Sequence, residues 1–175
     1  ASDPAISLEQ VAERAAVSRT TLYNHFASRD ALLDALTDRS VVEITVALGA
    51  ARPDEGTATD AMQRVLLAAW EVVGRYRGLV LINPQRLGRP VLRARLAPAV
   101  VAVHALIDRG QQSGEFDPEL PTDWLIGVVI DLIHAASRQV TAGTMRPREA
   151  ERALLRSATA TLTSHRQPAS RRRRA

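Results

Sequence analysis

From Leu8 to His165 the apolar residues of this chain recur three and four positions apart, and no stretch sustains a period of two. A spacing of three to four lines one face of a helix, whereas a half-buried strand needs strict alternation. The pattern therefore predicts an all-α fold. Aromatic residues, which strands favour, make up only 3% of the 175 residues. Hydrophobic residues, at 46%, are enough for a packed core. The length suits one domain with room for a small second unit.

Local signals divide the pattern into helices. Ser7 and Gln10 form a capping box ahead of Leu8, Val11, Ala12 and Ala15, one apolar stripe. After a break at Ala16-Val17, Ser18 can cap a second helix with Leu22 and Phe26 inside. Ser28 can cap a third, with Asp30 in its first turn, running through Leu32, Leu36, Val42, Ile44 and Leu48. Arg52–Gly56 reads as a linker. From about Thr59 a helix carries Met62, Val65, Leu66, Ala69, Val73 and Tyr76 on one face, and Gly78 is expected to end or bend it. Asn83-Pro84 and Gly88–Pro90 punctuate the next stretch. The pattern from Leu92 to Gly110 contains Pro98, which predicts a kink or two abutting helices. After a loop at 114–121, the helix from Pro121 to about Ala142 has almost no polar face. The last, from about Pro147 to His165, is rich in small residues.

Composition excludes several chemistries. There is no Cys, so disulfides, thiolate nucleophiles and cysteine-held zinc or iron–sulfur clusters are out. All 23 Lys and Arg residues are Arg, so Walker A and Schiff-base lysines are out as well. The net charge of +4 is matched by the four arginines at 171–174, a run expected to be a solvated, disordered tail. The first fifty residues hold four Arg against seven Asp and Glu. Bulk charge thus carries no argument for nucleic-acid binding. Ala1–Ile6 lacks the character of a signal peptide, and the apolar run Leu125–Ile130 is far short of a membrane span. A cytoplasmic protein without a membrane partner is expected.

The sharpest local signal is Leu8–Phe26, two short helices joined by a tight turn: the outline of a helix-turn-helix. Ala12 is small where the helices must cross, and Val17 and Leu22 are placed to fill the corner. The second helix offers Arg19, Thr20, Tyr23, Asn24 and His25 outward, donors suited to phosphates and base edges. An ordinary surface helix is the alternative reading of the same residues. The run Ile6–Leu33 resembles the DNA-binding region of the TetR family of transcriptional regulators. The specific part is Val17-Ser18, then Leu22-Tyr23-x-His25-Phe26, then Ser28-Arg29-Asp30-x-Leu32. Gly110–Phe116 also looks like the end of that family's seventh helix.

The resemblance implies a set of DNA-facing residues: Ser18, Arg19, Thr20, Thr21, Tyr23, Asn24, His25 and Arg29. Ser18, Arg19, Thr20 and Asn24 would lie near base edges or adjacent backbone. Tyr23, His25 and Arg29 would grip phosphates. Ala16 stands where the family's turn usually has Gly, which demands a left-handed alanine or a rearranged turn. The pattern also implies a further helix before Ile6.

On this reading residues 1–38 form the helix-turn-helix domain, 39–165 a helical effector-binding and dimerisation domain, and 166–175 a basic tail. The expected partners are palindromic operator DNA, a second copy of the chain and a mostly apolar small-molecule effector that releases a repressor. Met62, Leu66, Trp70, Tyr76, Arg86, Val103, His104 and His134 are the candidate effector pocket, or simply core. Trp124, Val128, Leu132, Ala150, Leu154 and Ala158 are the candidate dimer interface, pairing two helices with their mates. His104 with Asp108, and Asp131 with His134, each bring two possible metal ligands together, fewer than a site needs. No metal, cofactor or catalytic residue is expected. The rival reading is a helical-bundle small-molecule carrier or enzyme without DNA binding.

Overall fold

The computed structural model describes residues 7–163. The basic tail and the segment before Ser7 lie outside the described residues. Those described form eight helices and no strand: α1 (Leu8–Arg14), α2 (Arg19–His25), α3 (Arg29–Ala50), α4 (Ala58–Arg75), α5 (Arg77–Leu87), α6 (Arg89–Ser113), α7 (Thr122–Thr141) and α8 (Pro147–Leu162). Serine hydroxyls open the first three. Ser7, Ser18 and Ser28 accept the amides of Gln10, Thr21 and Ala31, and Ser7 completes its box by donating its own amide to Gln10. Thr57 opens α4 in the same manner.

The core is built around α4, whose buried side includes Ala61, Met62, Val65, Leu66, Ala69 and Trp70. α3, α6, α7 and α8 all pack on it. Leu106 and Ile107 from α6, Leu125 and Val129 from α7, and Ala158 and Leu162 from α8 complete the main cluster. A smaller one joins Trp70 to Ala136, Ala150 and Leu154. A third, Leu8, Ala12 and Leu22, belongs to the N-terminal helices, with Phe26 and Leu32 against it. α6 has the length and apolar content to cross a bilayer, yet here it packs against α3, α4, α5 and α7.

Several expectations are corrected. Pro84 does not end a helix: α5 runs through it, and α6 runs through Pro98 without a break. Packing on both helices holds them together where propensity alone would not. α4 ends at Arg75, before Gly78, which lies inside α5. As its sequence suggests, α3 runs unbroken from Arg29 to Ala50, so one element connects the N-terminal helices to the core. Val17 is 41% exposed, and the corner between α1 and α2 is filled by Leu22 instead.

The turn between α1 and α2 resolves the question raised by Ala16. Its φ is +54°, so an alanine occupies the left-handed region. Elsewhere glycine serves where close approach demands it. A Cβ on Gly110 would fall within the ring of Phe116, whose amide donates back to the Gly110 carbonyl at 3.0 Å.

Candidate DNA-binding surface and ligand cavity

Leu22 is the buried anchor of α2. With that side fixed inward, helical geometry turns Arg19, Thr20, Thr21, Tyr23, Asn24 and His25 outward, and all are exposed, as is Ser18. Ser18 and Thr21 share a hydroxyl–hydroxyl hydrogen bond of 2.7 Å besides the cap itself. Arg29, in the first turn of α3, is half-buried. The structure thus gathers the eight candidate DNA-facing residues on α2 and the start of α3.

Sequence reasoning missed Glu9. This residue lies in the first turn of α1 and reaches across to α2. One of its oxygens, Oε1, accepts from Arg19 Nη2 at 2.8 Å and from the Tyr23 hydroxyl at 2.9 Å. Glu9's own backbone amide, the Ser7 hydroxyl and Tyr23 hold its carboxyl at about 2, below the ordinary 4.5. The same contact raises the Tyr23 phenol, whose proton is engaged by a carboxylate. No local periodicity links position 9 to positions 19 and 23, so only the helix crossing reveals the cluster.

The structure does not gather the candidate effector-pocket residues around one cavity. A cavity of about 570 Å³ opens between α5, α6 and α7. Val80, Leu81, Pro84, Leu92, Leu96, Val100, Ile126 and Ile130 form its apolar walls. Gln85, Arg93, Asp123, Asp131, His134 and Arg138 supply its polar groups. Of the candidate pocket residues, only His134 lines it. Met62, Leu66 and Trp70 are 3%, 1% and 5% exposed, because the helices packed on α4 leave no space there. Val103 is half-buried against the same core. Tyr76 donates to Glu43 at 2.8 Å, away from the cavity. His104 is exposed, 3.1 Å from Asp108 and 3.6 Å from Asp123. Among the described residues, no three His, Asp or Glu side chains gather as a metal-binding group.

Arg86 instead belongs to a polar cluster connecting α5 and α6 to α3. Its Nη1 donates to Asp34 at 3.1 Å, and its Nη2 lies 3.3 Å from Thr37 Oγ1. Asn83 donates to the same Thr37 oxygen. Arg95 of α6 adds ion pairs of 3.0 Å to Asp34 and 3.3 Å to Asp38. The Arg86 guanidinium leads in holding Asp34 below the usual carboxylate range. A second tie runs from α3 to the end of α4, where Glu43 accepts from Arg75 and Tyr76.

The candidate interface residues divide in two. Ala150, Leu154 and Ala158 are 0%, 2% and 0% exposed: they face the chain's own core, where α8 packs on α4 and α7. Trp124 is 61% exposed, and Val128 and Leu132 are half-buried on α7.

Residues 4–36 match the model of bacterial regulatory proteins of the tetR family. A search of curated protein sequences finds no match. Among solved structures, the chain is similar to the TetR-like transcriptional regulator LfrR from Mycobacterium smegmatis in complex with proflavine. The identity is 23% and the TM-score 0.72, over 93% of this chain and 88% of that one. A second LfrR structure is 25% identical with a TM-score of 0.63, covering the same shares of the two chains, 93% and 88%. PfmR, a TetR family regulator from Thermus thermophilus, is 18% identical with a TM-score of 0.70, over 91% of this chain and 86% of that one. The matched helix-turn-helix carries its donors outward on α2, and the all-helical body behind it has the same fold as those regulators. Residues 4–36 are thus a region of the tetR family of bacterial regulatory proteins, and the chain behind them has the fold of TetR-like regulators.

Proposed function

We propose that this chain is a tetR-family regulator, a homodimeric repressor that binds a palindromic operator and leaves it when a small molecule enters the cavity between α5, α6 and α7. The observation that carries the reading is the continuity of α3. This helix begins at Arg29, beside the DNA-facing residues, and is gripped at Asp34, Thr37 and Asp38 by α5 and α6. Those two helices also wall the cavity. A ligand that favours one arrangement of α5 and α6 therefore favours one position of α2.

Within α2 the exposed side chains divide by what they can recognise. Arg19 and Asn24 suit base edges, since Arg pairs bidentately with guanine and Asn with adenine. Tyr23, His25 and Arg29 suit phosphates, which set register but carry no sequence information. A dimer would place one α2 in each half-site. The exposed Trp124 and half-buried Val128, one turn apart on α7, are apolar surface suited to a mate.

The effector is largely apolar, as the aliphatic walls require, and its polar part meets the charged and amide groups of Gln85, Arg93, Asp123 and Arg138. The proflavine held by LfrR supports a ligand role for a body of this fold.

Selection of bound duplexes from a random pool tests the reading. The expected product is an inverted repeat. Arg29→Ala should weaken binding to selected and scrambled duplexes alike and reduce the salt slope by roughly one unit per half-site. Asn24→Ala should change preference at one base pair, by about 1–3 kcal/mol. Failure to enrich any sequence at low salt would overturn the reading, as would operator binding indifferent to every member of a panel of apolar ligands that stabilise the protein.

A further inference from the structure

We infer that Glu9 is an internal stand-in for a DNA phosphate, a positioning residue that lowers general affinity for DNA and so sharpens discrimination. The inference rests on the reading of α2 as the recognition helix. Arg19 and Tyr23 lie one turn apart on α2, and both donate to one oxygen of Glu9, at 2.8 and 2.9 Å. A guanidinium and a phenol converging on one anionic oxygen is the arrangement a phosphate would receive. Glu9 itself is placed by the first turn of α1, which the Ser7 cap opens.

Such a carboxylate acts on two kinds of DNA differently. A phosphate oxygen accepting the Tyr23 proton would come within about 6 Å of the Glu9 oxygen, close enough for repulsion. On a random duplex, phosphates merely exchange with Glu9 for the same donors, so little is gained. On the operator, Arg19 leaves Glu9 for base-edge acceptors in fixed geometry, a gain that random sequence does not supply. Glu9 thus subtracts from both affinities and proportionally more from the unspecific one. Its position ten residues before Arg19 and fourteen before Tyr23 gives it no helical register with either, so the contact exists through the crossing of α1 and α2.

The test compares full-chain protein with Glu9→Gln on two probes, the duplex recovered from random-pool selection and a scrambled duplex of equal length. Glu9→Gln keeps the size and one accepting oxygen and removes the charge. Its affinity for the scrambled duplex should rise roughly tenfold, and for the selected duplex by about threefold or less, lowering the specificity ratio. The salt slope should steepen by about one unit per chain, because Arg19 becomes free to neutralise a phosphate. Glu9→Asp, which restores the charge, should return the slope to that of the unaltered chain, a rescue a merely structural role would not give. In an Arg19→Gln background the effect of Glu9→Gln should shrink to the Tyr23 share. Equal affinities and slopes for the unaltered chain and Glu9→Gln, or weaker scrambled-duplex binding with an unchanged melting curve, would overturn the inference and leave the recognition-helix reading standing. Absence of duplex binding by the unaltered chain would overturn both.

Discussion

Asn83 of α5 donates its side-chain amide to the Thr37 hydroxyl of α3 across 3.1 Å, and both residues are buried, 4% and 1% exposed. Thr37 in turn donates to the Leu33 carbonyl within its own helix. A buried chain of this kind has one good arrangement, since any slip of α3 along α5 strands a donor. Pro84 and Gln85, which line the cavity, come directly after Asn83 in sequence. Thr37→Val keeps shape and deletes the acceptor that Asn83 and Arg86 share. It should cost about 1–3 kcal/mol in denaturant unfolding. It should also reduce the effect of any bound ligand on DNA affinity while leaving ligand affinity nearly intact. Full ligand response in this variant would remove the cluster from the path between cavity and α2.

The range of each interaction decides how much of the fold and the site is legible in the sequence. The caps at Ser7, Ser18 and Ser28 each act within three residues, and the structure places them as sequence alone suggests. The outward face of α2 is equally legible, because one buried Leu22 sets it. The cavity is not. Met62, Leu66 and Trp70 form an apolar stripe, and such a stripe looks alike whether a ligand or a neighbouring helix covers it. Pro84 misleads because helix-breaking is a local cost that packing on α6 and α7 can outweigh. Ala150, Leu154 and Ala158 look suited to a partner chain, yet α4 and α7 of the same chain already cover them.

Ala16 holds φ at +54°, where its Cβ crowds the carbonyl. Glycine has no such conflict, although it loses more backbone entropy on folding. Since the first term exceeds the second in a left-handed turn, Ala16→Gly should stabilise the chain by about 0.5–1 kcal/mol. The expected readout is a small rise in melting temperature, with DNA affinity unchanged or slightly increased. A fall in stability would show that the turn relaxes without strain.

Glu115, distant in sequence, closes the start of α4, accepting the amides of Ala58 at 3.0 Å and Thr59 at 2.9 Å. Those amides are unmet by the helix itself. They hold the Glu115 carboxyl at about 2, below its ordinary 4.5. A carboxyl depressed in the folded state contributes stability that is fully present above 4.5 and lost as pH falls toward 2. Glu115→Gln should therefore cost about 1–2 kcal/mol at neutral pH, the range of a lost helix cap. It should also flatten the acid limb of stability against pH between 4.5 and 2. An unchanged acid limb would mean that other carboxylates govern it.

Two apolar residues of the last helices separate folding from assembly. Leu154 is 2% exposed against Trp70 and Ala136, so Leu154→Arg places an unpaired guanidinium in the chain's own core. It should abolish cooperative unfolding and helical signal together. Val128 sits half-buried one turn from the exposed Trp124, on a face of α7 that this chain only partly covers. Val128→Asp should leave the helical spectrum intact and halve the mass measured by sedimentation at micromolar concentration. If a stable pair forms, each chain should bury roughly 800 Å² in it. The unaltered protein should then melt at a temperature that rises with concentration, and the Val128→Asp variant should not, because only a dimer is linked to mass action. Selected-duplex affinity in that variant should fall steeply, because one helix-turn-helix then grips one half-site alone. A Val128→Asp protein that retains the full mass would move the interface off this face of α7.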